Sequence, residues 1–158
     1  VSGVDLVQWL TAQLDEDVRI ARAACWDEQS DVWTASPPRA SYERYTVVDY
    51  CDDGVVVVTP ENADADGVGR HVAEWDPARV LREIDFKRQI LAQYTQAVQA
   101  VEELAAVRER LHARGKDVLM TELEQESAVH RRDTLLGVLR LLALPYVDRP
   151  GFREEWRP

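Results

Sequence analysis

Any chemistry in this chain has to come from a short set of side chains. Two cysteines, Cys25 and Cys51, and three histidines, His71, His112 and His130, are its nucleophile and soft-ligand types. The cysteines do not form a Cys-x-x-Cys pair. A zinc site would have to be assembled at long range from Cys25, Cys51 and His71, and isolated thiols more often behave as small buried hydrophobes. The same separation disfavours a Cys/His nucleophile pair, which needs hydrogen-bond reach. Glu61, Asp64 and Asp66 ahead of Gly67 have the composition of a calcium loop. The EF-hand, however, needs oxygens at positions 1, 3 and 5, Gly at 6 and Glu at 12, and this segment reads instead as a solvated acidic loop. A di-metal carboxylate centre requires Glu-x-x-His units. Glu126 and His130 are four apart, and Glu102 and Glu103 have no histidine at the required distance. The sequence holds no Gly-x-Gly-x-x-Gly, no Walker-type Lys loop, no Gly-x-Ser-x-Gly and no His-Glu-x-x-His. The expectation is a non-enzyme with no cofactor and no bound metal. Trp26, Trp33 and Trp75 surround a β-rich stretch. They are expected to pack between sheet and helices, with an indole-lined recognition groove as their other use.

The 158 residues carry 29 acids and 19 bases, a net charge of −10. Residues 1–76 hold 16 acids and 5 bases; residues 77–158 hold 13 and 14. An acid excess of this kind opposes binding to nucleic acid or an anionic membrane, because phosphate contacts need clustered Lys and Arg. The one basic cluster is Arg79, Arg82, Lys87 and Arg88, and Glu83 and Asp85 interrupt it. Glu83 is spaced to pair with Lys87. The longest apolar runs, Val55–Val58 and Leu141–Leu144, fall far short of the roughly 18–20 residues of a membrane span. The first residues lack the layout of a signal peptide. Two cysteines make no disulfide framework, so a reduced, cytoplasmic chain is expected.

The elements follow from periodicity. Leu6, Leu10, Leu14, Val18, Ala21 and Cys25 recur at three and four, which predicts a helix from Asp5 to about Trp26 capped by Ser2 or Asp5. Val32–Thr34, Tyr42–Tyr50 and Val55–Thr59 read as strands. Asp53-Gly54 between the last two is a hairpin signal in which Gly would supply the positive φ. Four consecutive valines suggest a strand covered on both faces. A polar loop over 60–69 leads to a short helix from about Arg70 to Trp75. Asp76-Pro77 is the sharpest signal: Asp caps a helix and Pro fits its first turn. No Gly or Pro then occurs until Gly115, which predicts a helix of about 38 residues and roughly 57 Å. That length exceeds the roughly 40 Å diameter expected of a compact domain this size. A second helix, about Asp117–Ala143, would fold back around Gly115. The register sets Leu111 beside Leu119, Val107 beside Leu123, Tyr94 beside Leu135 or Leu136, and Leu91 beside Leu139. Its polar stretch Thr121–Asp133 is expected to be mobile or covered by a partner. Phe152 and Trp156 are candidate anchors for an irregular tail. The expected architecture is one α+β domain over 1–158. It comprises an N-terminal helix and small antiparallel three-stranded sheet (1–76), a long antiparallel helical hairpin (77–144) and a tail (145–158).

Three stretches carry a resemblance: Leu14–Ala24, His71–Ile90 with its Asp-Pro-Ala-Arg-Val-Leu, and Leu139–Trp156 with its Leu-Ala-Leu-Pro-Tyr. Together they cover about a third of the chain. It resembles a family of small uncharacterised actinobacterial and phage proteins, a domain of unknown function. The resemblance implies no activity, cofactor or catalytic residue. The family often has Pro-Trp after the first helix, where this chain has Ala24-Cys25-Trp26. Residues 95–134 look like a longer, variable insertion.

The functional expectation is a non-enzymatic interaction module, homodimeric through the hairpin. The alternative is an acidic inhibitor or phage–host regulator that occupies a basic surface of a partner protein. The candidate partner-binding residues are Trp33, Asp52, Asp53, Asp64 and Asp66 in the acidic half, and Ile90, Val101 and Leu104 on the long helix. Nucleic acid and membrane are not expected partners.

Overall fold

A computed structural model describes residues 3–158. The order is α1 (Gly3–Ala23), β1 (Thr34–Ser36), β2 (Thr46–Val48), β3 (Gly54–Val57), α2 (Ala65–Glu74), α3 (Pro77–Ala113) and α4 (Leu119–Ala143). Short 3-10 turns follow at Leu144–Tyr146 and Glu154–Trp156. The protein is therefore α+β, with an N-terminal helix, a small antiparallel sheet and long C-terminal helices. Its residues cluster into two compact units. A sheet unit comprises Leu14–Asp85; a hairpin unit comprises the residues before Leu14 together with Phe86–Pro158. α1 and α3 each contribute to both.

The periodic stripe of α1 is buried at Leu6, Leu10, Leu14 and Ala21. Its start differs from expectation. Asp5 lies inside the first turn rather than capping it, and its carboxylate pairs with Arg153 at 3.0 Å. Ser2, the other expected cap, lies outside the described residues. The helix ends at Ala23, three residues early, where a polar loop takes over. There the Ser30 hydroxyl accepts from Trp26 N–H and Asp27 N–H and donates to the Asp27 carbonyl. Ser30 is buried and needs those partners.

In the sheet unit the strands run in the order β1-β2-β3, both pairs antiparallel. Tyr45, Val47 and Val58 form the core against Trp33, Ala35, Ala65, Val68, Val72 and Ala73. α2 covers the sheet over β1 and β2. Gly69 allows its close approach, since a Cβ there would lie 2.2 Å from the Tyr45 ring.

Several local expectations are corrected here. The first strand begins at Thr34, so Trp33 precedes it, and the other two are shorter than the β-branched runs. The valine run is not covered on both faces. Val55, Val56 and Val57 are 37%, 39% and 45% exposed and only Val58 is buried, because ten residues of α2 span only two strands. The β2–β3 turn is a hairpin, but its positive φ falls on Asp52, at 60°, and not on Gly54, which opens β3. Asp49 explains the shift. Its Oδ1 accepts from Cys51 N–H at 2.9 Å and Asp53 N–H at 3.2 Å, so a side chain closes the turn. α2 begins five residues before expectation because Asp64 caps it, accepting from Gly67 N–H at 2.7 Å. Trp26 and Trp75 are 64% and 46% exposed, so neither is a core residue.

Asp76 caps α3 as its sequence indicates. Oδ1 accepts from Arg79 N–H at 2.7 Å, and Oδ2 accepts from Trp33 N–H at 3.3 Å. α3 then runs 37 residues, about 56 Å. It ends in a Schellman turn. Gly115 has φ +65°, its N–H donates to the His112 carbonyl, and Lys116 N–H donates to the Leu111 carbonyl. α4 returns antiparallel within the hairpin unit. Gln96, Ala97 and Ala100 face Ser127, Ala128 and Arg131 across one gap, and Lys87 Nζ reaches the Tyr146 hydroxyl at 3.3 Å. Tyr94, Leu91 and Leu139 are buried as the register requires. At the start of α4 the register differs. Thr121 is buried, while Leu119 and Leu123, expected to face Leu111 and Val107, are exposed.

The tail is anchored by an aromatic cluster on α1. Trp9 lies 5.1 Å from Trp156, 5.7 Å from Phe152 and 6.4 Å from Tyr146, ring centre to ring centre. Its indole N–H donates to the Pro150 carbonyl at 3.0 Å. Arg149 and Lys87 sit over Tyr146, Arg153 over Trp156 and Arg157 over Phe152. Phe152 and Trp156 were legible as anchors. Their counterpart Trp9 was not, although it stands three residues from Leu6.

Candidate interaction surfaces

The residues singled out from the sequence divide between the units. Trp33 is half-buried against the sheet core, with its indole N–H on the Ser30 carbonyl at 3.0 Å. It also lines a cavity of about 430 Å³ with Ala35, Ala73, Arg70, Arg79 and Arg82. Most charges of that cavity are matched locally. Arg70 pairs with Asp66 at 2.9 Å, and Arg79 pairs with Glu83 at 3.2 Å and Glu74 at 3.5 Å while stacking 4.3 Å over Trp75. Glu83 thus engages Arg79 rather than Lys87, because the Lys87 ammonium turns to Tyr146.

Asp64 and Asp66 are used by the fold. Asp64 caps α2, and Asp66 accepts from the Tyr45 hydroxyl at 2.9 Å as well as from Arg70. Asp52 and Asp53 are exposed in the hairpin turn, and Glu61 is exposed beyond β3. Among the described residues these three carboxylates have no hydrogen-bond or ion-pair partner. Ile90, Val101 and Leu104 are half-buried on α3. Two of the proposed groups therefore lie in the sheet unit and the third in the hairpin unit.

Two features escaped sequence reasoning. One is the exposed edge of β3. The other is an apolar patch at the start of α4, where Leu119, Met120 and Leu123 are 58%, 67% and 51% exposed. Apolar spacing hid the second: Leu119 and Leu123 fit a buried stripe, yet Thr121, two residues from each, is the side chain that turns inward.

The polar network beside the hairpin turn sets the local titration. Trp26 Nε1–H donates to Asp49 Oδ2 at 2.7 Å. That bond, with the Cys51 and Asp53 N–H groups, holds the Asp49 carboxyl below the usual range. The Tyr50 hydroxyl donates to Asp27 Oδ2 at 2.6 Å and lowers Asp27 likewise, aided by Gln29 and Ser30 N–H. Trp26 and Tyr50 stack at 5.9 Å over this pair. Burial pushes the Cys25 thiol up, and the Asp31 and Asp27 charges push the same way. Such a thiol is a poor nucleophile. Cys25 bonds to the Ala21 carbonyl and Cys51 is exposed in the turn. Among the described residues, no three His, Cys, Asp or Glu side chains converge as a ligand set.

Among the described residues, no helix is long and apolar enough to cross a membrane. Comparison with curated proteins and comparison with solved structures give no match. A family model, in contrast, matches far more than the three stretches quoted from the sequence, taking in the capped helices, the small sheet and the anchored tail. Over residues 3–158 the chain belongs to a family of unknown function, DUF6221.

Proposed function

We propose that the protein is a non-enzymatic interaction module that self-associates through its helical hairpin. The observation that carries this reading is the patch of Leu119, Met120 and Leu123. Three large apolar side chains within the first five residues of one helix remain more than half in water, and a second hairpin laid across them would remove that surface. Ile90, Val101 and Leu104 on α3 are half-buried and add partly exposed apolar surface elsewhere on the hairpin. A free, largely protonated Cys25 agrees with a reduced cytoplasmic setting and with no covalent chemistry.

Sedimentation equilibrium tests it. A dimer is expected at high micromolar concentration, and Leu123→Asp should return it to a monomer, since burying an unpaired carboxylate is costly. Because Leu123 is exposed, that variant should keep its circular dichroism. A parent chain that stays monomeric at high micromolar concentration refutes the proposal.

A second reading is favoured by charge. The sheet unit holds 17 acidic and 7 basic side chains, a net of −10, and the hairpin unit holds 12 of each. The whole net charge thus belongs to one unit, as suits an inhibitor or regulator that occupies a basic surface of another protein.

A further inference from the structure

Among the described residues β3 is an edge strand with β2 as its one strand neighbour. Val58 N–H donates to the Tyr45 carbonyl at 2.8 Å. Successive residues of a regular strand turn their N–H and C=O groups to opposite edges, so Val57, opposite Thr46, presents its groups outward, whereas the register shifts by one residue at Val55. The side chains of Val55, Val56 and Val57 are exposed. Val56 continues the row of Ala35 and Val47 on the core face, but α2 covers β1 and β2 and leaves it bare. Natural edges are blunted by short length, lysine, proline or an overlying element. This one is short and irregular at Val55, yet around Val57 it has no basic side chain and no covering helix. Residues 49–66 instead carry six acids and no base. Asp52 and Asp53 precede the strand and Glu61 follows it, all three exposed, and their carboxylates have no partner among the described residues.

From this juxtaposition we infer that β3 docks an extended basic segment of another protein, which joins the sheet as a fourth strand. The inference rests on the second reading above, in which the acidic sheet unit meets a basic partner. The outward N–H and C=O groups of Val57 supply main-chain hydrogen bonds, and the exposed valines accept apolar side chains of the incoming strand. The carboxylates at both ends select Lys or Arg at the ends of that segment. The same carboxylates argue against a second copy of this chain as the occupant. Edge-to-edge pairing would bring Asp52, Asp53 and Glu61 of two copies together, and like charges across a strand pair are destabilising.

The test uses the full chain and a fluorescein-labelled peptide of alternating valine and threonine with two lysines at each end. An otherwise identical peptide carries glutamates in place of lysines. Fluorescence anisotropy should show the lysine peptide binding at least about tenfold more tightly, with affinity falling several-fold as salt rises. Amide exchange at Val57 should slow in the complex, while hairpin-unit amides keep their rates. Val57→Pro removes an outward donor without touching the ladder to β2. It should weaken binding about tenfold, and Val57→Thr should not. N-methylation of the peptide's central amides should abolish binding to the unaltered protein, which guards against a misfolded variant. Salt-sensitive binding with unchanged Val57 exchange would overturn strand addition and leave the acidic-surface reading standing. Equal affinity for lysine and glutamate peptides, or binding of neither, would overturn both.

Discussion

At the scale of single residues, carboxylates organise the sheet unit. Asp76 is buried and satisfies two backbone donors far apart in sequence, those of Arg79 and Trp33. Asp76→Ala should therefore lower stability by about 1–2 kcal/mol, towards the upper end of the N-cap range because two N–H groups lose their acceptor. The urea midpoint reads it, and an unchanged midpoint would contradict the double role. Asp49 and Asp27 give the second expectation. Both titrate lower in the folded chain than in the unfolded one. The stability they contribute is fully present above the unfolded Asp value of about 3.9, and it is lost as pH falls through the depressed folded values. Asp49→Asn should flatten that acid limb in a series of urea midpoints from about pH 5 downward. A limb parallel to that of the parent would remove Asp49 as its source.

At the scale of elements, two helical glycines have opposite meanings. Gly137 in α4 has no heavy atom within 4 Å of a built Cβ, so Gly137→Ala should stabilise the chain by about 0.5–1 kcal/mol through helix propensity alone. Gly69 in α2 is pressed against the Tyr45 ring, whose hydroxyl is tied to Asp66. Gly69→Ala should destabilise by about 1–3 kcal/mol despite the same propensity gain. Thermal melts of the two variants should move in opposite directions; a rise in both would mean that α2 can shift off the sheet freely. Helix existence was legible throughout, because long periodic segments and the Asp76-Pro77 and Gly115 signals are local. Strand extents were less so. Tyr42–Tyr50 has β-branched and aromatic composition over nine residues, but only Thr46–Val48 finds a partner on both sides.

At the scale of the whole molecule, charge separates the two units more sharply than composition does. Seventeen acids in 72 residues repel one another whenever the sheet unit is folded. Raising ionic strength from about 10 to about 150 mM shortens the Debye length from about 30 to about 8 Å. The unfolding midpoint should accordingly rise over that range. A midpoint that falls would mean that ion pairs such as Arg79 with Glu83 outweigh the repulsion. Binding to duplex DNA should be negligible at physiological salt. Arg79 of the basic cluster is engaged by Glu74, Glu83 and Trp75, and Lys87 lies over Tyr146. Micromolar affinity with a steep salt slope would show that the cluster releases counterions after all.

The sequence by itself determined the α+β class, the presence of the helices, the Asp76 cap of α3, the antiparallel return around Gly115 and the location of the acid excess. Each depends on near neighbours: a capping oxygen three residues from its N–H, a glycine that alone takes φ +65° cheaply, an apolar residue every third or fourth position. Tertiary structure decided what local pattern leaves open. It placed the positive φ of the hairpin on Asp52, because Asp49 reaches back to close the turn. It left Val55–Val57 at an open edge, because α2 is too short to cover a third strand. It turned Leu119 and Leu123 outward and Thr121 inward, and it paired Trp9 with a tail more than 130 residues away. Burial and pairing of this kind depend on which surfaces meet, and residues distant in sequence set that through packing rather than propensity.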